Sequence, residues 1–139
     1  MMKLHSCPLT AADNPVLIPA EPISLDRAVE QVSGFETGAV TSFCGRVRET
    51  EIGRPISGIT YQVYHGMAEK EIAQIIGQAQ ELWAVRAVVQ HRFGKVPAGE
   101  ASLVVACSAV HRRESFEACQ FVVDAIKANV PIWKAGFES

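Results

Sequence analysis

Residues 67–93 read MAEKEIAQIIGQAQELWAVRAVVQHRF, and a change of period inside this stretch decides the fold. From Met67 to Trp83 the apolar residues Ile72, Ile75, Ile76, Ala79, Leu82 and Trp83 recur at helical spacing. Glu69, Lys70, Glu71, Gln74 and Gln78 fall on the solvated side. From Val85 the period drops to two: Val85, Ala87, Val89, His91 and Phe93 alternate with Arg86, Gln90 and Arg92. An amphipathic helix therefore feeds a strand, and the flanking sequence extends the pattern in both directions.

Upstream, residues 16–19 read as a short strand that Pro19 and Pro22 keep at a sheet edge. Ser24 is a helix N-cap, Leu25, Ala28, Val29 and Val32 follow at helical spacing, and Gly34 is the stop. Residues 38–48 are extended, 49–55 read as a loop, and 56–64 form another extended run with Ile59, Tyr61 and Val63 on one face. Downstream, Pro97-Ala98-Gly99 makes a turn, and Ala101, Leu103, Val105 and Cys107 share a strand face. A last helix is expected over about 114–129, stopped by Pro131. The order β-α-β-β-α-β-β-α predicts an α+β domain with a mostly antiparallel sheet. Residues 1–15 are expected to be a loosely held arm and residues 16–139 a single domain.

The chain has 139 residues, 48% of them apolar, enough for a conventional core. With 13 Lys+Arg against 15 Asp+Glu, it lacks the basic excess of a bulk nucleic-acid binder. No run approaches the length of a membrane span, and the first residues lack the apolar core of a signal peptide, so a cytoplasmic protein is expected. Cys7, Cys44, Cys107 and Cys119 show no zinc-ligand spacing and read as small buried thiols in a reducing compartment; no metal site is expected.

Candidate chemistry lies in the basic residues. His111-Arg112-Arg113 stands where a strand gives way to a helix, and cations there oppose the helix dipole. A bound anion would relieve that conflict, as would neutralisation by Glu114 and Glu117. Arg46 and Arg48 alternate along one strand, either as a solvated face or as part of an anion site. Lys127 falls at the margin of the apolar stripe through Cys119, Val122, Ile126 and Val130, at nearly the angle of Phe116 and Val123. It either snorkels or, if desolvated or placed beside another cation, serves as a base or nucleophile. Lys134 follows just beyond Pro131. His91, on an apolar face, reads as a hydrogen-bonded core histidine.

Seven segments in fixed order extend this picture: residues 43–48 (FCGRVR), 64–70 (YHGMAEK), 91–97 (HRFGKVP), 99–102 (GEAS), 110–112 (VHR), 116–118 (FEA) and 131–134 (PIWK). The set resembles the large, catalytic subunit of molybdopterin synthase over about residues 35–134. The resemblance implies an α/β hammerhead-type fold and a homodimer with two copies of a small ubiquitin-like subunit docked at its ends. It implies that the small subunit's C-terminal Gly-Gly thiocarboxylate enters a pocket and gives its sulfur, twice, to cyclic pyranopterin monophosphate, forming the dithiolene of molybdopterin. No permanently bound cofactor is implied, since the partner supplies the sulfur. Nucleic acid and membrane are not expected partners.

By the same likeness Lys127 and Lys134 match lysines beside the thiocarboxylate, with Lys127 as acid/base or transient acyl acceptor and Lys134 stabilising negative charge. Arg48, His111 and Arg112 match residues of the anionic substrate pocket near the dimer interface, and Phe43 matches an apolar wall. All five basic side chains are expected to converge on one anion pocket. Three departures stand out: Ala135-Gly136 replaces a basic-acidic pair, Gln62 stands where glutamate is common, and the chain stops at Ser139, short of the tail of many relatives. That short end is expected to change partner docking or substrate closure. The competing reading is a non-catalytic α+β module that binds an anion or a peptide tail with the same residues.

Overall fold

The computed structural model describes residues 14–139; Cys7 and nearly all of the arm expected over residues 1–15 lie outside the described residues. The chain begins with strand β1 (Val16–Leu17) and helix α1 (Leu25–Val32). Ser24 caps α1 as expected, its Oγ accepting the Arg27 N–H at 3.1 Å. The stop differs: Ser33 is the C-cap, in an extended conformation, so Gly34 follows the end without making it.

Strand β2 (Ala39–Arg46) then leads into β3 (Thr50–Glu51) and β4 (Arg54–Pro55). The expected loop over 49–55 is instead a small hairpin, turned by Ile52 and Gly53 at φ 51° and 72°. Two-residue strands are too short to show a period. Next come β5 (Gly58–Val63), α2 (Met67–Trp83), β6 (Arg86–His91), β7 (Gly94–Pro97) and β8 (Ala101–Ala109). Helix α3 (Arg112–Asn129) begins two residues earlier than expected, and β9 (Ile132–Glu138) closes the chain. The hairpin strands, β7 and β9 correct the simpler β-α-β-β-α-β-β-α order; the α+β class and the mostly antiparallel pairing stand.

The main sheet has the order β1-β6-β8-β2, with β1 parallel to β6 at its edge and the other pairs antiparallel. Helices α2 and α3 cover one face, burying Ile72, Ile76, Val89, Val105, Cys107, Val122 and Ile126. Helix α1 covers the other, packing Ala28 and Val32 on Val88, Val104 and Ala106. Because both faces are covered, β6 and β8 are buried almost throughout, which is why Val88 and Gln90 are as buried as their alternating neighbours. Cys107 and Cys119 are buried as expected, whereas Cys44 is exposed because even-numbered residues of β2 face outward.

A second sheet, β7-β5-β9, packs on its own cluster of Val47, Ile59 and Val96. Its β5–β9 ladder is irregular: Tyr61 pairs with Lys134 but Thr60 pairs with Gly136, leaving Ala135 as an extra residue. That bulge breaks the alternation along 132–138 and hides β9 from a period-two search.

Candidate functional site

The site forms where α3 hands over to β9. Pro131 lacks an N–H and cannot continue a helix, so the chain turns at Val130 and enters β9 two residues later. The turn is held by the Tyr64 N–H donating to the Pro131 carbonyl at 3.0 Å. Lys127, in the last turn of α3, and Lys134, opposite Tyr61 in β9, thereby line one cleft of about 140 Å³ with Tyr61, His91, Ser102 and Trp133. Lys127 lies at the edge of the buried stripe as expected, since Ile126 beside it is buried and Lys127 itself is exposed.

Arg48 reaches this region through a shared carboxylate. Glu51, on β3, has one oxygen 3.5 Å from Arg48 Nη2 and the other 3.5 Å from Lys134 Nζ. Arg48 also borders a shallow depression formed with Arg46, Glu49 and Gly99. The Arg46 guanidinium donates to the Gly99 carbonyl, which ties β2 to the turn before β8.

Other expected site residues lie elsewhere. His111 is the N-cap of α3 without a side-chain capping bond, and it and Arg112 are exposed at the helix start. At 1.5 Å per residue, Arg112 stands about 22 Å along the axis from Lys127. Within one copy the structure brings together Lys127, Lys134 and Arg48 and sets His111 and Arg112 at the other end of α3. Arg113 is neutralised by Glu117 at 3.3 Å, while Arg112 has no ion pair among the described residues. Phe43 packs partly buried against the main core, opposite Val105, rather than in the wall of the lysine cleft.

Sequence alone gives no chemical role to two residues of the site. Glu51 sat in a segment read as loop. His91 is the buried, hydrogen-bonded histidine expected, 8% exposed, and it also ends β6 where the strand opens on the lysine cleft. Burial pulls its pKa down to about 4, the hydrogen bond to the Arg92 carbonyl opposes this and the Lys127 charge reinforces it. At neutral pH the cleft thus holds two lysines and an uncharged imidazole, a set able to grip an anion and to handle a proton beside it.

Comparison with known proteins identifies the family and the fold. The molybdopterin synthase catalytic subunit of Oryza sativa subsp. indica is 42% identical over 113 residues, covering 81% of this chain and 58% of the rice protein. The chain thus spans a little over half the length of that relative. Among solved structures, molybdopterin synthase from Staphylococcus aureus superposes with a TM-score of 0.81 at 31% identity, covering 91% of this chain and 95% of that one. The protein–protein complex of subunits 1 and 2 of molybdopterin-converting factor from Helicobacter pylori 26695 shares the fold, with a TM-score of 0.71 at 22% identity over 86% of this chain and 81% of that one. The family model described as MoaE protein matches residues 18–129, and on that match the chain belongs to the MoaE protein family.

Proposed function

We propose that this chain is the catalytic subunit of a molybdopterin synthase. In this reading it moves sulfur from the C-terminal thiocarboxylate of a small ubiquitin-like subunit ending in Gly-Gly to cyclic pyranopterin monophosphate. The observation that carries the proposal is the meeting of Lys127 and Lys134 in one narrow cleft, in a chain of this family. A thiocarboxylate is an anion, and paired ammonium groups suit both its binding and the charge that develops as sulfur leaves. Lys127 acts as acid/base or transient acyl acceptor, and Lys134 stabilises negative charge. The sulfur arrives with the partner, and no resident cofactor is invoked.

The substrate phosphate calls for further cations, and we assign Arg48, His111 and Arg112 to it. Because His111 and Arg112 stand at the far end of α3, they serve a cleft belonging to a second copy, which makes the working unit a homodimer. Phe43 contributes through the packing of β2 beneath α3 rather than as a wall of the cleft. We assign the protein to the cytoplasm; no helix among the described residues is long and apolar enough to cross a membrane.

Reconstitution tests the proposal. The protein is mixed with a thiocarboxylated small subunit and cyclic pyranopterin monophosphate, and the dithiolene product is measured. Product in proportion to thiocarboxylate is expected; a tight complex that yields none at any ratio would establish the non-catalytic binding module instead.

A further inference from the structure

The lysine cleft holds one polar group that sulfur transfer, as described above, leaves idle. His91 Nδ1 lies 2.9 Å from the Arg92 carbonyl oxygen. A carbonyl only accepts, so Nδ1 carries the proton and Nε2 keeps a bare lone pair. Nε2 has no hydrogen-bond partner among the described residues, and the residue, only 8% exposed, borders the cleft. The ring is also braced edge-on against Tyr61, with centroids 5.3 Å apart at 73°. A fixed acceptor therefore borders a cleft whose charged groups, Lys127 and Lys134, are both donors.

Size narrows what this arrangement can receive. About 140 Å³ is well below the ~300–1,000 Å³ of ordinary small-molecule pockets, so a slender chain fits better than a fused ring system. Its chemistry must offer an anion to two ammonium groups and, close by, an N–H to a neutral nitrogen. The last residue of a polypeptide has both, its terminal anion standing one carbon from its own amide N–H. Being uncharged, the imidazole adds no third cation to repel the lysines.

Resting on the sulfur-transfer reading, we infer that His91 Nε2 accepts a hydrogen bond from the main-chain N–H of the partner's C-terminal residue, while Lys127 and Lys134 face its terminal anion. His91 thus fixes the plane of the last peptide group and aims the terminal atom at the lysines. The residue recognised is defined by its main chain, in keeping with a tail of glycine, which offers no side chain to read.

The test pairs two tails with three proteins. A short synthetic peptide ending in Gly-Gly is compared with the same peptide whose last amide is an ester, which replaces the N–H donor with an oxygen. Each is titrated by NMR into the wild-type chain, His91→Asn and His91→Gln. Asn keeps a donor for the Arg92 carbonyl but loses the acceptor at Nε2, whereas Gln places an oxygen near Nε2. On the wild type the ester is expected to bind about tenfold more weakly than the amide, roughly the worth of one well-made hydrogen bond. The two tails should bind His91→Asn equally, and His91→Gln should recover part of the difference. The ¹⁵N resonance of His91 Nε2 should move upfield with the amide tail alone. Equal binding of both tails to the wild type overturns the role of His91 even if His91→Asn fails to fold. Failure of the wild type to bind the amide tail at all would overturn the sulfur-transfer reading together with it.

Discussion

The carboxylate of Glu51 lies 3.5 Å from the Nζ of Lys134, and its second oxygen holds Arg48 at the same distance. Only 14% of the Glu51 side chain is exposed, against 47% for Lys134 and 77% for Arg48, so the acid is the shielded member of the trio. Glu51→Gln should release both cations to an incoming anion. Inorganic phosphate is expected to bind several-fold more tightly at low ionic strength, with the gain fading as salt is added. Calorimetric titration at two salt concentrations reads this directly. Stability should fall by no more than about 1 kcal/mol, because both cations remain open to water.

Lys127 is exposed at the end of α3, so its removal should cost chemistry rather than fold. Lys127→Ala is expected to lower sulfur transfer by about 10²-fold or more. Its melting temperature should match the wild type, and complex formation with the small subunit should stay measurable. Near-normal turnover in a single-turnover assay would remove Lys127 from the mechanism.

The separation of Arg112 from Lys127 along α3 makes a prediction about pairs of chains. Arg112→Ala and Lys127→Ala proteins should each be inactive alone. Mixed and allowed to exchange subunits, they should regain activity, because the hybrid contains one cleft with both residues intact. Activity that never rises above the parents would remove Arg112 from any cleft shared between two copies.

His91 makes stability depend on pH. Its folded pKa of about 4 lies below the ordinary value of 6.5, so between those limits the unfolded chain binds the proton and the native chain does not. The stabilisation is present above pH 6.5 and is lost as pH falls towards 4. Between pH 7 and pH 5 the loss attributable to this residue is about 2 kcal/mol. Urea unfolding of wild type and His91→Asn at the two pH values should show a steeper loss for the wild type.

Ser115 ties the start of α3 to the main sheet. Its buried hydroxyl lies 2.7 Å from Thr41 Oγ1 and 3.0 Å from the Cys107 carbonyl. Ser115→Ala removes both contacts from a buried site and should cost about 1–3 kcal/mol of unfolding free energy. Hydrogen exchange should localise the loosening to the first turns of α3, beside His111 and Arg112.

Where periodicity was long, the sequence was legible. Helix α2 runs from Met67 to Trp83 as its apolar spacing predicts, and Ser24 caps α1 as its side chain allows. The β3–β4 hairpin was not legible: its two-residue strands show no alternation, and their pairing depends on a turn at Ile52-Gly53. His91 shows a different limit. Alternation placed it correctly on the buried face of β6, but only the packing of the α3–β9 corner over the strand's end makes that position the wall of a cleft. The 18 residues of α3 set His111 and Arg112 apart from Lys127 within one copy, a distance that the order of motifs along the sequence does not convey.

The extra residue at Ala135 divides β9 into two halves that obey different phases. Lys134 answers to Tyr61 and the corner before it, whereas Phe137 and Glu138 answer to Ile59 and Gly58 in the other half of the ladder. The end of the strand that carries Lys134 is thereby insulated from the end that pairs with Gly58 and Ile59. Changes beyond Gly136 can be absorbed without turning Lys134, but deleting Ala135 would splice the two phases together and force one half onto the wrong face of the sheet.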